Sequence, residues 1–268
     1  MRGHPGTALA ALAMVSVLAV PRPEAQQGSV SPDAGPDAGP DAKPGERRQF
    51  LTCPIVRDTK TQPCWLAEYE GRLYYLGQQS GVAGDFYPPQ LGHQALVEGT
   101  VGEGRVCGGI PLQPVKVSVM RELTPACDTI LPAEDGIEAP PPVATPRGQA
   151  PSWVKVADPA NVTLYFDFDN DFLSVHVTSA LTNVAKHAID VKASRVEVVG
   201  YRAATRLSGG QTLTERADMG GIRARKVAGV LTGLGVPSAA VSVSAPEAAE
   251  RADGVNDPWN RRVVIRVK

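Results

Sequence analysis

The sequence predicts a small disulfide-bonded all-β domain followed by an α+β unit with the order β-α-β-α-β-β. Three observations support this fold class. All four cysteines fall within residues 50–131, a proline-rich stretch follows at residues 132–152, and from residue 153 onward the hydrophobic period changes between those of strands and helices. We therefore expect two folded domains, at residues 50–131 and 153–268, joined by a linker at residues 132–152.

The first 25 residues are typical of a secretory signal peptide. Arg2 precedes an apolar run from Ala8 to Val20, and Ala25 supplies a small residue before a cleavage point. A membrane-spanning helix needs roughly 20 apolar residues, and this run is shorter. A short buried helix is the alternative interpretation. No cysteine closes the run, so we expect no lipid anchor and a soluble exported protein.

Residues 26–49 form a predicted linker. Its core, from Ser31 to Lys43, repeats a Pro-Asp-Ala-Gly unit that has little apolar surface to bury. Overall the chain has a hydrophobic content of 43%, a charged content of 21% and a formal net charge of -1. This balance indicates a folded protein and excludes a strongly basic polynucleotide binder, so no nucleic acid partner is expected.

The cysteines predict disulfide bonds, because an even number in an exported chain favours pairing. Three connectivities are open, and we favour Cys53–Cys64 with Cys107–Cys127 because each pair closes a short loop. Zinc is less favoured, since there is no C-x-x-C pair and no histidine at ligand spacing. The surrounding short apolar runs, with a hairpin turn at Glu70-Gly71, indicate strands, and their spacing suggests an OB-like barrel.

The last third changes to a mixed pattern. Val162 to Phe168 alternates as a strand, and Asp169 to Asp171 offer side chains that could cap a helix. Two apolar stripes at helical spacing follow, separated by a strand at Val196 to Gly200 and succeeded by two more strands. The stripes are Leu173, Val177, Leu181, Val184, Ala185, Ala188 and Ile189, and then Met219, Ile222, Val227, Val230, Leu231 and Leu234. This order predicts helices on one face of a mixed sheet.

These motifs together resemble the OmpA-like domain family. The resemblance rests on Tyr165-Phe166-Asp167-Phe168-Asp169 in the first strand, Val196 to Gly200, the helix segment Met219 to Ala224, and Asn260-Arg261-Arg262 before the last strand. It implies a non-enzymatic domain that binds peptidoglycan and grips the diaminopimelate of the stem peptide. By position, Arg223 corresponds to the arginine that pairs with the ligand carboxylate, for which a guanidinium is well suited.

The family's aspartate, which holds the ligand ammonium, has no counterpart after Gly200, where the chain reads Tyr201-Arg202-Ala203. Four carboxylates are candidates to replace it: Glu215, Asp218, Asp169 and Asp171. The segment from Ala204 to Arg216 is also longer than is usual in the family. The resemblance implies stem-peptide binding through Arg223 with Asp218, Asp169 and Asp171.

Three function hypotheses follow. In the first, the exported protein binds the peptidoglycan stem peptide in the periplasm, in association with the outer membrane or the cell wall. In the second, the OmpA-like domain has lost this ligand and is a structural or protein-interaction module, with outer-membrane proteins as partners. In the third, the β domain is an enzyme, but no nucleophile–base constellation, cofactor motif or phosphate-binding loop supports it.

Overall fold

The computed structural model describes residues 42–78, 86–141 and 154–268, all of which belong to one compact unit. The expected signal peptide and most of the Pro-Asp-Ala-Gly repeat lie outside the described residues, as does the second half of the proline-rich linker. Within the described residues, no helix is both long enough and apolar enough to cross a membrane.

Seven strands form the first sheet, in the order β1-β5-β6-β4-β3-β2-β7. The strands are β1 (Arg47–Thr52), β2 (Pro54–Arg57), β3 (Cys64–Tyr69), β4 (Arg72–Gln78), β5 (His93–Val101), β6 (Ile110–Leu123) and β7 (Ile130–Leu131). The all-β prediction for this region is therefore confirmed. No pairing among the described residues joins β1 to β7, so the strand order is open at its two ends, and the OB-like barrel stays a prediction.

The turn between β3 and β4 is the one expected from the sequence. Glu70 and Gly71 both have positive φ, 53° and 72°, as the tight turn of a hairpin requires. The strands that this turn joins bring Tyr69 and Tyr74 next to Phe50 of β1, and the Phe50 and Tyr69 rings stack with centroids 4.5 Å apart. These aromatic contacts belong to the core of the first sheet.

Both disulfides are present, but the expected pairing is wrong. The structure joins Cys53 to Cys127 and Cys64 to Cys107. The short-loop argument failed because strand order decides which cysteines meet. Strand β2, which follows Cys53, pairs in parallel with β7, which follows Cys127, so these distant residues come together.

The α+β unit has a five-stranded sheet in the order β13-β10-β14-β9-β8. Its elements are β8 (Val154–Asp158), β9 (Asn161–Tyr165), α1 (Val175–Asp190), β10 (Val196–Gly200), β11 (Ala204–Arg206), β12 (Thr212–Thr214), α2 (Met219–Gly233), β13 (Val241–Ser244), α3 (Asp257–Asn260) and β14 (Arg262–Val267). Only β10 and β13 pair in parallel, so the sheet is mixed. The predicted order β-α-β-α-β-β is confirmed, with β8, the β11–β12 hairpin and α3 added to it.

Helix α1 starts later than the sequence suggested. Its N-cap is Ser174, whose hydroxyl accepts a hydrogen bond from the Val177 amide, so the expected capping by Asp169 to Asp171 is wrong. The apolar stripe faces inward as expected, except that Ile189 at the end of the helix is 44% exposed. Leu181 and Val184 of this stripe are fully buried against the sheet.

One face of the five-stranded sheet forms the larger core. Alternate residues of β9, β10 and β14 point into it and pack against both helices. Helix α2 lies unusually close to the end of β10, where two glycines face each other. A Cβ atom built on Gly200 would stand 2.0 Å from the Gly220 carbonyl oxygen, so only glycine fits there.

The first sheet packs against the loop after β9 and the β11–β12 hairpin. Leu96 of β5, Phe168 of the loop and Leu207 of the hairpin form a buried apolar cluster. The Phe168 amide donates a hydrogen bond to the Ser118 hydroxyl of β6 at 2.8 Å. This contact places the loop that follows β9 between the first sheet and helix α2, where the candidate site lies.

Candidate functional site

Arg223 lies in the second turn of α2 and is completely buried. Its guanidinium donates to three backbone carbonyls: Nε to Asn170 at 2.8 Å, Nη1 to Tyr201 at 3.1 Å and Nη2 to Asp167 at 2.8 Å. Nη1 and Nη2 also donate to the two carboxylate oxygens of Glu215, at 3.0 and 2.5 Å. A guanidinium has five N–H groups, and these five bonds engage all of them within the chain.

Glu215 is buried like Arg223, and both of its carboxylate oxygens accept hydrogen bonds within the chain. Besides Arg223, its Oε1 accepts a hydrogen bond from the Asp169 amide at 2.8 Å, and its Oε2 accepts one from the Ala203 amide at 2.8 Å. Four donors therefore converge on one carboxylate. A buried ion pair is maintained only when further hydrogen bonds satisfy both partners, and this condition is met here.

The backbone amide of Ala203 is one of these four donors. Ala203 lies in the region where the resemblance to OmpA-like domains would lead one to expect an aspartate. Ala203 itself is fully buried, and its amide points at Glu215. Glu215 was considered from the sequence as a replacement partner for a ligand ammonium. The structure gives it another role, as the carboxylate that pairs with the buried arginine.

The other expected ligand residues lie around the pair without joining it through their carboxylates. Asp169 accepts a hydrogen bond from the Arg216 amide at 2.9 Å, and its φ of 52° is left-handed. Asp171 pairs with Lys226 at 2.9 Å, at the surface. The side chain of Asp218, at the N-cap position of α2, is 61% exposed.

Glu215 lies near the end of residues 204–216, a segment between β10 and α2 that contains the β11–β12 hairpin. We call this segment the strap. Its tip contacts β1 through two hydrogen bonds between Ser208 and Gln49, at 2.7 and 2.9 Å. The Arg206 amide donates to the Asp257 carboxylate at 2.8 Å. The strap is thus held at its tip by the first sheet and along its length by the first residue of α3.

A second buried ion pair, missed by sequence reasoning, joins the strap to both sheets. Arg261 and Glu98 are paired and almost wholly inaccessible to solvent, and Arg261 also donates to the Thr205 hydroxyl at 2.8 Å. The sequence feature that could have indicated it is Glu98, the one carboxylate of β5, which directly follows the apolar residues Ala95 to Val97. The neighbouring Arg262 pairs with Glu250 and lies over the Tyr201 ring, 4.4 Å from its centroid.

An open cleft of about 510 Å³ lies between β6 and the loop after β9. The rings of Tyr87 and Phe172 meet edge to face at its wall, with centroids 5.9 Å apart. The cleft is therefore amphipathic, and it contains the ion pairs Lys226–Asp171 and Arg216–Asp169.

A neighbouring pocket shares Tyr87, Asp167 and Phe172 with the cleft and is also lined by Lys116. Lys116 Nζ is 3.4 Å from Asp167 Oδ1, and burial lowers the pKa of Lys116.

Within the part of the chain that the structure describes, no group of three or more His, Cys, Asp or Glu residues is placed to hold a metal ion. His93 directs Nδ1 at the Met120 carbonyl oxygen, 2.8 Å away. This contact fixes the ring against its own strand pair.

No family model and no curated protein matches this chain. Solved structures do match it. The OmpA-like domain of FopA1 from Francisella tularensis subsp. tularensis SCHU S4 is 24% identical, with a TM-score of 0.34, and the match covers 40% of this chain and 73% of that one. The periplasmic domain of Helicobacter pylori MotB is 21% identical, with a TM-score of 0.33 and coverage of 40% and 74%.

A putative MotB-like protein from Desulfovibrio vulgaris is 16% identical, with a TM-score of 0.30 and coverage of 40% and 73%. The first of these matches is named for the family that the sequence motifs resemble. This chain is thus similar to OmpA-like and MotB periplasmic domains over 40% of its length.

Proposed function

We propose that this chain is an exported, non-enzymatic envelope protein whose OmpA-like part is a structural or protein-interaction module with a closed ligand position. One observation carries the proposal: all five N–H groups of Arg223 are bonded inside the chain, two of them to Glu215. An arginine in this state has no donor left for a ligand carboxylate.

Export is supported by the disulfides Cys53–Cys127 and Cys64–Cys107, because such bonds persist in oxidising compartments. Together with the signal-peptide pattern, they support a periplasmic location in association with the outer membrane or cell wall. Outer-membrane proteins are then the partners that a module of this kind would meet.

Sedimentation with purified diaminopimelate-type peptidoglycan tests the proposal. We expect the mature protein to stay in the supernatant, while an OmpA-like domain known to bind the same material pellets. In intact cells, chemical crosslinking in the periplasm is expected to join the chain to outer-membrane proteins.

Stem-peptide binding is the competing result. It would require the ligand to be held by Asp171 and Asp218, two solvent-accessible carboxylates near the buried Arg223–Glu215 pair. Pelleting of the wild-type protein that is lost in Asp171→Asn or Asp218→Asn, and kept in the exposed control Asp190→Asn, would overturn the proposal.

A further inference from the structure

Lys116 of β6 lies in a small pocket between the first sheet and the end of β9, which neither Arg223 nor Glu215 lines. The pocket has a volume of about 70 Å³ and is open to solvent. Its walls are mainly apolar and aromatic, formed by Phe86, Tyr87, Val117, Tyr165, Phe166 and Phe172. The Lys116 side chain is 16% exposed, so its amine is largely withdrawn from water and still accessible from solution.

The carboxylate opposite Lys116 is bonded to another cation. Glu98 of β5 is the cross-strand partner of Lys116, a position from which opposite charges attract each other. In this chain, however, Glu98 forms a buried ion pair with Arg261 and accepts a hydrogen bond from the Thr205 hydroxyl. Glu98 therefore does not neutralise Lys116 through a direct contact.

The contacts that Lys116 does make are long. Nζ is 3.5 Å from the Phe166 carbonyl oxygen and 3.4 Å from Asp167 Oδ1. Hydrogen bonds from an ammonium to a carboxylate are typically about 2.7–2.9 Å long. The Trp259 ring centroid is 6.0 Å from Nζ, at the limit of a cation–π contact. The ammonium form of Lys116 is thus held only weakly by its surroundings.

Burial and the neighbouring charges together favour the neutral amine. Removal from water lowers the pKa of Lys116 and Arg261 lowers it further, whereas Asp167 and Glu98 act in the opposite direction. The net direction is downward, so near pH 7 a larger fraction of this amine is neutral than at a solvated lysine. A neutral lysine amine has the free electron pair that attacks a carbonyl carbon.

We propose that Lys116 is a covalent attachment site for a short aliphatic aldehyde. The Nζ electron pair attacks the aldehyde carbon and forms a carbinolamine, and loss of water then gives an imine between Nζ and that carbon. In each of the two steps one proton leaves the nitrogen and one reaches the oxygen, which departs as water. The Asp167 carboxylate, 3.4 Å from Nζ, is placed to carry these protons.

The pocket also contains a donor for the aldehyde oxygen. The Tyr87 hydroxyl is buried and has no hydrogen-bond partner among the described residues, and Tyr87 lines the same pocket as Lys116. A buried hydroxyl without a partner is unfavourable, and an aldehyde oxygen would supply the missing acceptor.

The volume of the pocket restricts the aldehyde. A cavity that holds a benzene ring measures about 150 Å³, roughly twice the volume found here. The apolar walls favour a hydrocarbon chain and the volume favours a short one. Propanal is therefore a suitable probe.

Competitive reductive alkylation of the wild-type protein tests the proposal. Propanal is added at pH 7 with sodium cyanoborohydride, which reduces the imine to a stable secondary amine. Peptide mass spectrometry then gives the initial labelling rate of each lysine. Lys60 is the matched control, because its Nζ is also 3.4 Å from a carboxylate oxygen, that of Asp135, while its side chain is 72% exposed. We expect Lys116 to be labelled about tenfold faster than Lys60, because more of its amine is neutral.

Two outcomes would overturn the proposal. One is a labelling rate at Lys116 equal to or below that at Lys60 in the folded protein. The other is a preference for Lys116 that persists in denaturing urea, since it would then arise from the local sequence and not from the pocket.

Two further measurements test the pocket itself. Tyr87→Phe removes only the hydroxyl and should slow labelling of Lys116 by about threefold to tenfold, with Lys60 unchanged, because one hydrogen bond is lost. Replacing propanal by 2-naphthaldehyde should reduce the preference for Lys116, since the pocket is too small for a bicyclic ring. An unchanged preference in either measurement would contradict the assigned pocket. Peptidoglycan sedimentation does not depend on this amine, so the proposed function and the aldehyde site fail separately.

Discussion

Arg261, at the end of α3, forms a buried ion pair with Glu98 of β5 and thereby joins the α+β unit to the first sheet. The bond is bidentate, and the Thr205 hydroxyl of the strap donates to the same carboxylate. Both ionic side chains are almost completely buried, so each charge needs the other to offset the cost of its removal from water.

Breaking this pair from one side should be costly. We expect Glu98→Ala to lower the free energy of unfolding by about 3–5 kcal/mol, because it leaves Arg261 buried and unpaired. Replacing both partners, in Glu98→Leu with Arg261→Met, should recover most of that loss. Denaturant unfolding measures both values. Asp190→Ala, which breaks the exposed pair with Lys186, is the control and should change stability by at most about 0.5 kcal/mol. Additive effects of the two core substitutions would contradict the coupling.

The close approach of α2 to β10 makes Gly200 irreplaceable. A methyl group there would meet the Gly220 carbonyl oxygen at 2.0 Å, a backbone atom that cannot move aside alone. We expect Gly200→Ala to destabilise the protein by about 3 kcal/mol or to prevent folding. Gly229→Ala, in the same helix with nothing within 4 Å of the new methyl group, should stabilise it by about 0.5–1 kcal/mol. Equal effects of the two substitutions, measured by thermal unfolding, would contradict the packing.

The disulfide pairing gives a direct chemical prediction. Digestion of the non-reduced protein should release peptides linked as Cys53–Cys127 and Cys64–Cys107, identified by mass spectrometry. The bonds close loops with separations of 74 and 43 residues, so loss of either should cost about 4 kcal/mol. Peptides that link Cys53 to Cys64 would show that strands β2 and β7 do not pair as described.

Acid should weaken the loop before α3 through Asp253. Hydrogen bonds from the Asn256 amide and side chain and from the Val255 amide lower the pKa of Asp253 from 3.8 to about 2. Because the folded state binds this proton less readily than the unfolded state, the contribution is present above pH 4 and is lost as the pH falls toward 2. Asp253→Asn should therefore be less stable than wild type at pH 6, with the difference in Tm shrinking at pH 2. A difference that is constant with pH would rule out this carboxylate.

The order of elements was readable from the sequence because it depends on local periodicity. The stripe around Leu181 and Val184 and the alternation of Val196 to Gly200 each reflect the repeat of a single segment. Each segment must place its own apolar side chains on one side, whatever its neighbours are. The hairpin turn at Glu70-Gly71 was also predictable locally, because the pair lies between two short apolar runs.

The partners of Arg223 and of the cysteines were decided only by tertiary structure. Which carboxylate reaches Arg223 depends on the path of the strap, and which cysteine reaches Cys53 depends on the order of strands in the first sheet. The sequence by itself determined the order of the main helices and strands and indicated that Arg223, a candidate ligand arginine, stands in the second helix. Only the packing of distant segments decided that Glu215 meets it, because such meetings are set by the whole arrangement of the chain in space.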